Sequence, residues 1–187
     1  MDNQQATSRV AGLYLGEGHF SLAKTPRANG KWNIKTEIGF SNQDPALVDL
    51  VCEFLDRCEV KHHIGMNNST CYQVRVTRHE EIKKLLDVLL PYLHGRKFAE
   101  AKLLYRFTTK ALAKLNAPVE SGSGGGQFAG LERRRKNMAF DAEDVAIADE
   151  KESLRESSET TRIPQCWEKH KYGNLTRVVN IPSVVKI

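Results

Sequence analysis

The chain has 187 residues, a formal net charge of +5 from 28 Lys and Arg against 23 Asp and Glu, and four cysteines. That length supports one domain with a real core, or one domain plus an appendage, and the basic balance favours a polyanionic partner. No apolar run reaches the ~20 residues of a membrane span, and Met1-Asp2-Asn3-Gln4-Gln5 lacks the order of a signal peptide. The expected setting is therefore intracellular, in the cytoplasm or nucleoid or in an organelle, with no membrane partner and no secretion. Cys52, Cys58, Cys71 and Cys166 contain no CxxC pair, so neither a disulfide framework nor a zinc ribbon is indicated.

Taken in order, the first element is a helix over Ser8 to Gly18, with Ser8 as its N-cap and Gly18 in the left-handed conformation that stops it. Gly12 and Gly16 lie four residues apart with Ala11 beside them. One face thus has almost no side chain, and another helix can approach it closely. Glu17 follows at the C-terminal end, where the helix dipole is negative and a carboxylate is disfavoured, so a compensating cation is expected. If the partner helix comes from a second copy, two Glu17 side chains converge, and oxygen-only ligation then suits magnesium or another divalent cation.

After Gly18 the period changes to that of strands. His19 to Thr25 places Phe20 and Leu22 on one face and Ser21, Ala23 and Thr25 on the other, with Arg27 beyond; Pro26 to Gly30 is a turn. Trp32 to Ser41 alternates Ile34, Thr36, Ile38 and Phe40 against Asn33, Lys35, Glu37 and Gly39. Asp44 caps a helix with Pro45 in its first turn, ending near Arg57. Strands over Val60 to Met66 and Thr70 to Val76 are joined at Asn67-Asn68-Ser69; Tyr72, Val74 and Val76 face the core, and Cys71, Gln73 and Arg75 share the open face with His63 and Gly65. A helix from His79 to Leu90 stops at Pro91, and after Pro91 to Lys97 a long helix runs to about Leu115.

This order predicts an α+β fold, an αββαββα core whose four-stranded antiparallel, saddle-like sheet carries helices on one face only, with a C-terminal extension. The other face is bare and polar, and of a breadth that suits one side of a DNA groove.

Val10-Ala11-Gly12-Leu13-Tyr14-Leu15-Gly16-Glu17-Gly18 resembles the LAGLIDADG motif of homing endonucleases, in the variant whose acidic residue is Glu. Val10 stands for the first Leu and Leu15 for the first Asp. Ser41-Asn42-Gln43-Asp44 is similar to the family's segment after the second strand, and Pro91 to Lys97 to its loop that brings a basic side chain to the scissile phosphate. The resemblance implies a magnesium-dependent double-strand DNA endonuclease of the intron- or intein-type. In it Glu17 and Gly16 hold the metal, Asn42 or Gln43 orients the attacking water, and Lys97 or Arg96 stabilises the charge that builds on the phosphorane. Ser21, Thr25, Arg27, Asn33, Lys35, Glu37, His63, Gln73 and Arg75 are the candidate DNA contacts. One motif per chain implies a homodimer through Ala11, Gly12, Leu15 and Gly16, acting on a long pseudo-palindromic site. The alternative on the same scaffold is a non-catalytic nucleic-acid binder, either an RNA-splicing maturase or a transcription regulator; Glu17 argues against loss of cleavage, and maturase activity on RNA is compatible with it.

The division expected from composition is a core over 1–116, a Gly/Ser linker over 117–127 and a helical, basic extension over 128–187. Phe128-Ala129-Gly130-Leu131 begins like a second motif but lacks the acidic-Gly ending. Arg133-Arg134-Arg135-Lys136 is a basic run, Asp141 to Glu159 is acidic with a thin stripe of Val145, Ala148 and Leu154, and Arg162 to Ile187 is basic and β-like.

Overall fold

The computed structural model describes residues 3–27, 32–67, 70–117 and 140–160. The turn at 28–31, the tip at 68–69, the linker with the basic run, and everything after Thr160 lie outside the described residues. Helix α1 (Asn3–Gly16) is followed by β1 (Gly18–Pro26), β2 (Trp32–Asn42), α2 (Pro45–Arg57), β3 (His63–Asn67), β4 (Cys71–Val76), α3 (His79–Leu89), a 3₁₀ turn over Leu90–Tyr92, α4 (Gly95–Asn116) and α5 (Ala142–Thr160). The strands form one antiparallel sheet in the order β1-β2-β4-β3. Chain contacts group Met1–Leu154 into one compact unit and Arg155–Ile187 into a second.

The helices cover a single face of the sheet, as the period-2 pattern requires. Phe20, Leu22, Ile34, Ile38, Phe40, Val74 and Val76 point into the core and meet α1 to α4, while the intervening residues form the open face. On β3 the core-side parity is not used: Ile64 and Met66 are 60% and 57% exposed. Tyr72 beside them is only half-buried.

Helix α1 begins five residues before Ser8, which is an exposed mid-helix residue rather than a cap. Ala6 and Thr7 bury in the first turns and continue the stripe of Val10, Ala11 and Tyr14, so packing anchors a start that shows no apolar periodicity. Gly18 does not take a left-handed conformation; it opens β1. A Cβ there would lie 2.4 Å from Tyr14 Cδ1 and 2.7 Å from the Tyr14 backbone, so the strand leaves the helix pressed against that residue. Tyr14 is fully buried between Phe20 and Phe40, with centroids at 6.1 and 5.9 Å. Its hydroxyl has no hydrogen-bond partner among the described residues, and burial pushes its pKa up.

Asp44 caps α2, its side chain accepting from the Ala46 amide at 2.9 Å with Pro45 next in line. The other end closes through Glu59, whose φ of 54° is the left-handed value that lets the Val60 amide reach back to Leu55 O at 2.9 Å. Val60 is thereby tucked into the core, and the Lys61 amide donates to the buried Glu81 at 3.0 Å. Pairing therefore starts at His63 rather than Val60.

The acidic segment after residue 140 forms α5, which buries Ile147 as well as Ala148 and is tied to α4 by charge. Asp141 and Asp144 exchange side-chain-to-amide bonds of 3.0 and 2.8 Å, a reciprocal N-terminal cap. Lys110 reaches Asp141 at 2.9 Å and Glu143 at 2.6 Å, and Lys114 reaches Asp141 at 2.9 Å and also Asp144. No helix among the described residues is long and apolar enough to cross a membrane.

Hydrogen bonds from Lys110, then Lys114, then the Asp144 amide hold the Asp141 carboxyl well below the usual carboxylate range. A carboxyl lowered in the folded state stabilises above its unfolded pKa of ~3.9, and that contribution fades as pH falls below it. Amide-exchange protection across residues 145–154, corrected for intrinsic rates, is expected to hold at neutral pH and to fall below about pH 4 ahead of that of α3.

Candidate nucleic-acid interface

Three parts of the chain meet where α1 hands over to β1. Glu17 is exposed, its amide closing the last helical turn on Leu13 O at 2.8 Å, and its carboxylate has no hydrogen bond or ion pair among the described residues. Lys97, from the first turn of α4, donates from its ammonium to the Gly18 carbonyl oxygen. A positive charge therefore stands one residue from the carboxylate, at the negative end of the α1 dipole. The third part is the end of β2: because Gly18 pairs with Phe40, the residues Ser41-Asn42-Gln43 run on past the start of β1 at this same edge of the sheet.

The candidates differ in how far they are already engaged. Asn42 Oδ1 accepts from the Asp44 amide at 2.8 Å, a turn that leads into α2 and fixes the side chain with its N–H donors unused among the described residues; Gln43 is exposed. Arg96 and Lys97 belong to the helix, which starts at Gly95, and not to a preceding loop. Adjacent helical positions diverge by about 100°, and the two side chains part accordingly. Arg96 Nε donates to Glu100 Oε1 at 2.8 Å, and Glu100 is buried with Lys151 3.8 Å away. Arg96 thus neutralises an interior carboxylate, whereas Lys97 faces the α1–β1 corner.

Among the described residues no group of three or more His, Cys, Asp or Glu side chains could hold a metal ion. The corner offers Glu17 and the last carbonyls of α1, such as that of Gly16, which the helix leaves without intrahelical donors. Such an oxygen-only, incomplete set suits a hard cation that keeps several waters and takes its remaining ligands from substrate phosphate, as magnesium does. It does not suit zinc.

The open face extends from this corner in paired rows. Ser41 lies opposite Gln73, which lies opposite Gly65; Gly39 lies between His19 and Arg75, and Arg75 faces His63; Glu37 pairs with Ser21, Lys35 with Ala23 and Asn33 with Thr25. Thr25 and Arg27 both bond Asn33, at 3.4 and 3.2 Å, so these three are ordered together at the far end. His19 is the residue that sequence reasoning passed over. Its ring covers Gly39, where a Cβ would sit 2.0 Å from it, and its Nε2 lies 3.0 Å from Glu37 Oε1. Gly39 is consequently not an open notch. Only the pairing of β1 with β2 brings these residues, twenty apart in sequence, into register.

The outward face of α1 is bare. Ser8, Gly12 and Gly16 are exposed at four-residue intervals, and a Cβ on either glycine would meet nothing within 4 Å. Ala11 is not on this face: it is 1% exposed, packed in the protomer's own core. Leu15 is half-buried against that core.

Neither a protein-family model nor a curated protein sequence matches the chain. Solved structures do. The homing endonuclease I-CvuI, in complex with a DNA target, superposes with a TM-score of 0.57 at 20% identity over 81% of this chain and 83% of that one. The homing endonuclease I-TnaI gives 0.53 at 16% identity over 83% and 97%. The LAGLIDADG homing endonuclease I-GzeII, also in complex with its DNA target, gives 0.51 at 16% identity over 94% of this chain and 54% of its own. The architecture of this chain is that of the LAGLIDADG homing endonucleases.

Proposed function

We propose that the chain is a homodimeric, site-specific double-strand DNA endonuclease of the LAGLIDADG homing type. The observation that carries this reading is the convergence, at one corner, of an exposed helix-terminal Glu17 with the Lys97 ammonium on the Gly18 carbonyl. The DNA complexes of the similar folds support it. So do the dimensions of the open face. Eleven residues of β2 span about 36 Å at the strand rise, close to one turn of duplex DNA, and four strands are about as wide as a major groove. Arg27, Lys35 and Arg75 on that face outnumber Glu37, which suits a polyanion.

In this reading Glu17 and the Gly16 carbonyl hold Mg²⁺, or another divalent cation, which when bound supplies Lewis-acid polarisation of phosphate and water. Lys97 spends one N–H on Gly18 O and keeps two for the charge that develops on the scissile phosphate. Gln43, with both amide functions open, and Asn42, with its N–H donors, orient water on the attacking side. The glycine face of α1 packs on the same face of a second copy, which brings two corners together for a cut on each strand and makes the site pseudo-palindromic, roughly 20 base pairs long.

Incubating the protein with a randomised duplex library, with Mg²⁺ and with EDTA, and sequencing the ends is the direct test; Mg²⁺-dependent breaks at one site are expected. Glu17→Gln should retain duplex binding and lower cleavage by at least about 10²-fold, and cutting at the parental rate would remove Glu17 from the metal. Gly12→Leu is expected to leave the protomer folded, since its side chain enters open space, yet to sediment as a monomer that no longer makes double-strand breaks. Lys97→Leu should slow cleavage with little change in the urea midpoint, whereas Arg96→Leu should destabilise the fold by about 1–3 kcal/mol by leaving Glu100 under-paired.

A further inference from the structure

We infer that His19 and Glu37 form one fixed base-reading unit, and that with Arg75 it selects a C·G pair in each half-site, with cytosine under β1–β2 and guanine under β4; the inference rests on the DNA reading above. The unit is built by a glycine. Because Gly39 has no Cβ, the imidazole of His19 lies over β2 and reaches diagonally to Glu37 at 3.0 Å, instead of standing free on β1. Both side chains are partly exposed on the open face, 41% and 27%.

The hydrogen-bond inventory of this unit is one-sided. An ionised carboxylate only accepts, so the His19 nitrogen bonded to it carries the proton; in the neutral imidazole Nδ1 is then an acceptor, and Glu37 Oε2 is a second. The groove thus meets two acceptors and no donor. In the major groove cytosine presents only its N4 amino group, a donor, whereas guanine and thymine present acceptors at the same place and adenine adds the N7 acceptor next to its amino group. Acceptors alone fit cytosine and are repelled, wholly or in part, by the other three. Across Gly39 from His19, in the same row, stands exposed Arg75 with no bond among the described residues, and Arg pairs with guanine O6 and N7. Acceptors on one side of the row and a donor fork on the other match the two halves of a C·G pair.

The test is selection of bound duplexes from a randomised library by the wild-type protein, by Glu37→Gln and by Gly39→Ala. Wild type is expected to enrich C·G at one position per half-site. In Glu37→Gln the carbonyl oxygen takes the His19 bond and the amide N–H faces the groove. Cytosine enrichment at that position should then fall by about tenfold or more, in favour of guanine or thymine, with the other positions kept. Gly39→Ala displaces the ring and should flatten the preference at the same position. If both variants enrich the wild-type sequence at every position, the base-reading unit is overturned while the DNA reading stands; if wild type enriches no duplex, both fall.

Discussion

The structure depends on a corner with no slack. One residue, Glu17, separates the end of α1 from the start of β1, and Gly18 is pressed so closely on Tyr14 that a methyl group there has no space. Tyr14 in turn is wedged between Phe20 of β1 and Phe40 of β2, so the helix, the turn and the first hairpin are packed as one piece. Interiors this dense transmit displacement rather than absorb it. The exposed carboxylate, the Lys97 contact and the bare glycine face of α1 all hang on that piece. The cost of the arrangement is visible in the same residue, since the Tyr14 hydroxyl is buried without a hydrogen-bond partner among the described residues.

Much of the architecture was legible because it follows from period and punctuation. The strict alternation of Ile34, Thr36, Ile38 and Phe40, and the Asp44-Pro45 start of α2, each encode a local state with one dominant physical cause, and both formed as read. The start of α1 was not legible, because Asn3 to Arg9 are mostly polar and only the core beneath Ala6 and Thr7 holds them helical. The late start of β3 was hidden for a related reason: Val60 reads as a strand residue but is drawn inward by the closure of α2 at Glu59.

At the candidate site, residue types were easier to read than their engagements. Glu17 at the end of a glycine-spaced helix is a local pattern, and Ala11, adjacent in sequence, was assigned to the same face although helical geometry turns it into the core. On sequence Lys97 is preferred with Arg96 as the alternative, but which of them meets Glu100 and which meets Gly18 depends on how α4 lies across β1. His19 carried no signal of its own, because its position is decided by Gly39 on the neighbouring strand.

The charge network of α5 has a further consequence. The lysines in the C-terminal half of α4 are matched by Asp141, Glu143 and Asp144, and Arg106 lies 3.8 and 3.6 Å from Glu143 and Glu150. Lys35 and Arg75, on the open face of the sheet, have no such acidic partners among the described residues. Among the described residues, the acidic helix therefore neutralises cations of α4 and leaves those of the open sheet face unmatched. In a polyanion's field such a local imbalance exerts a torque that favours presenting the unmatched face, which shortens the search over orientations that a uniformly basic surface would have to perform.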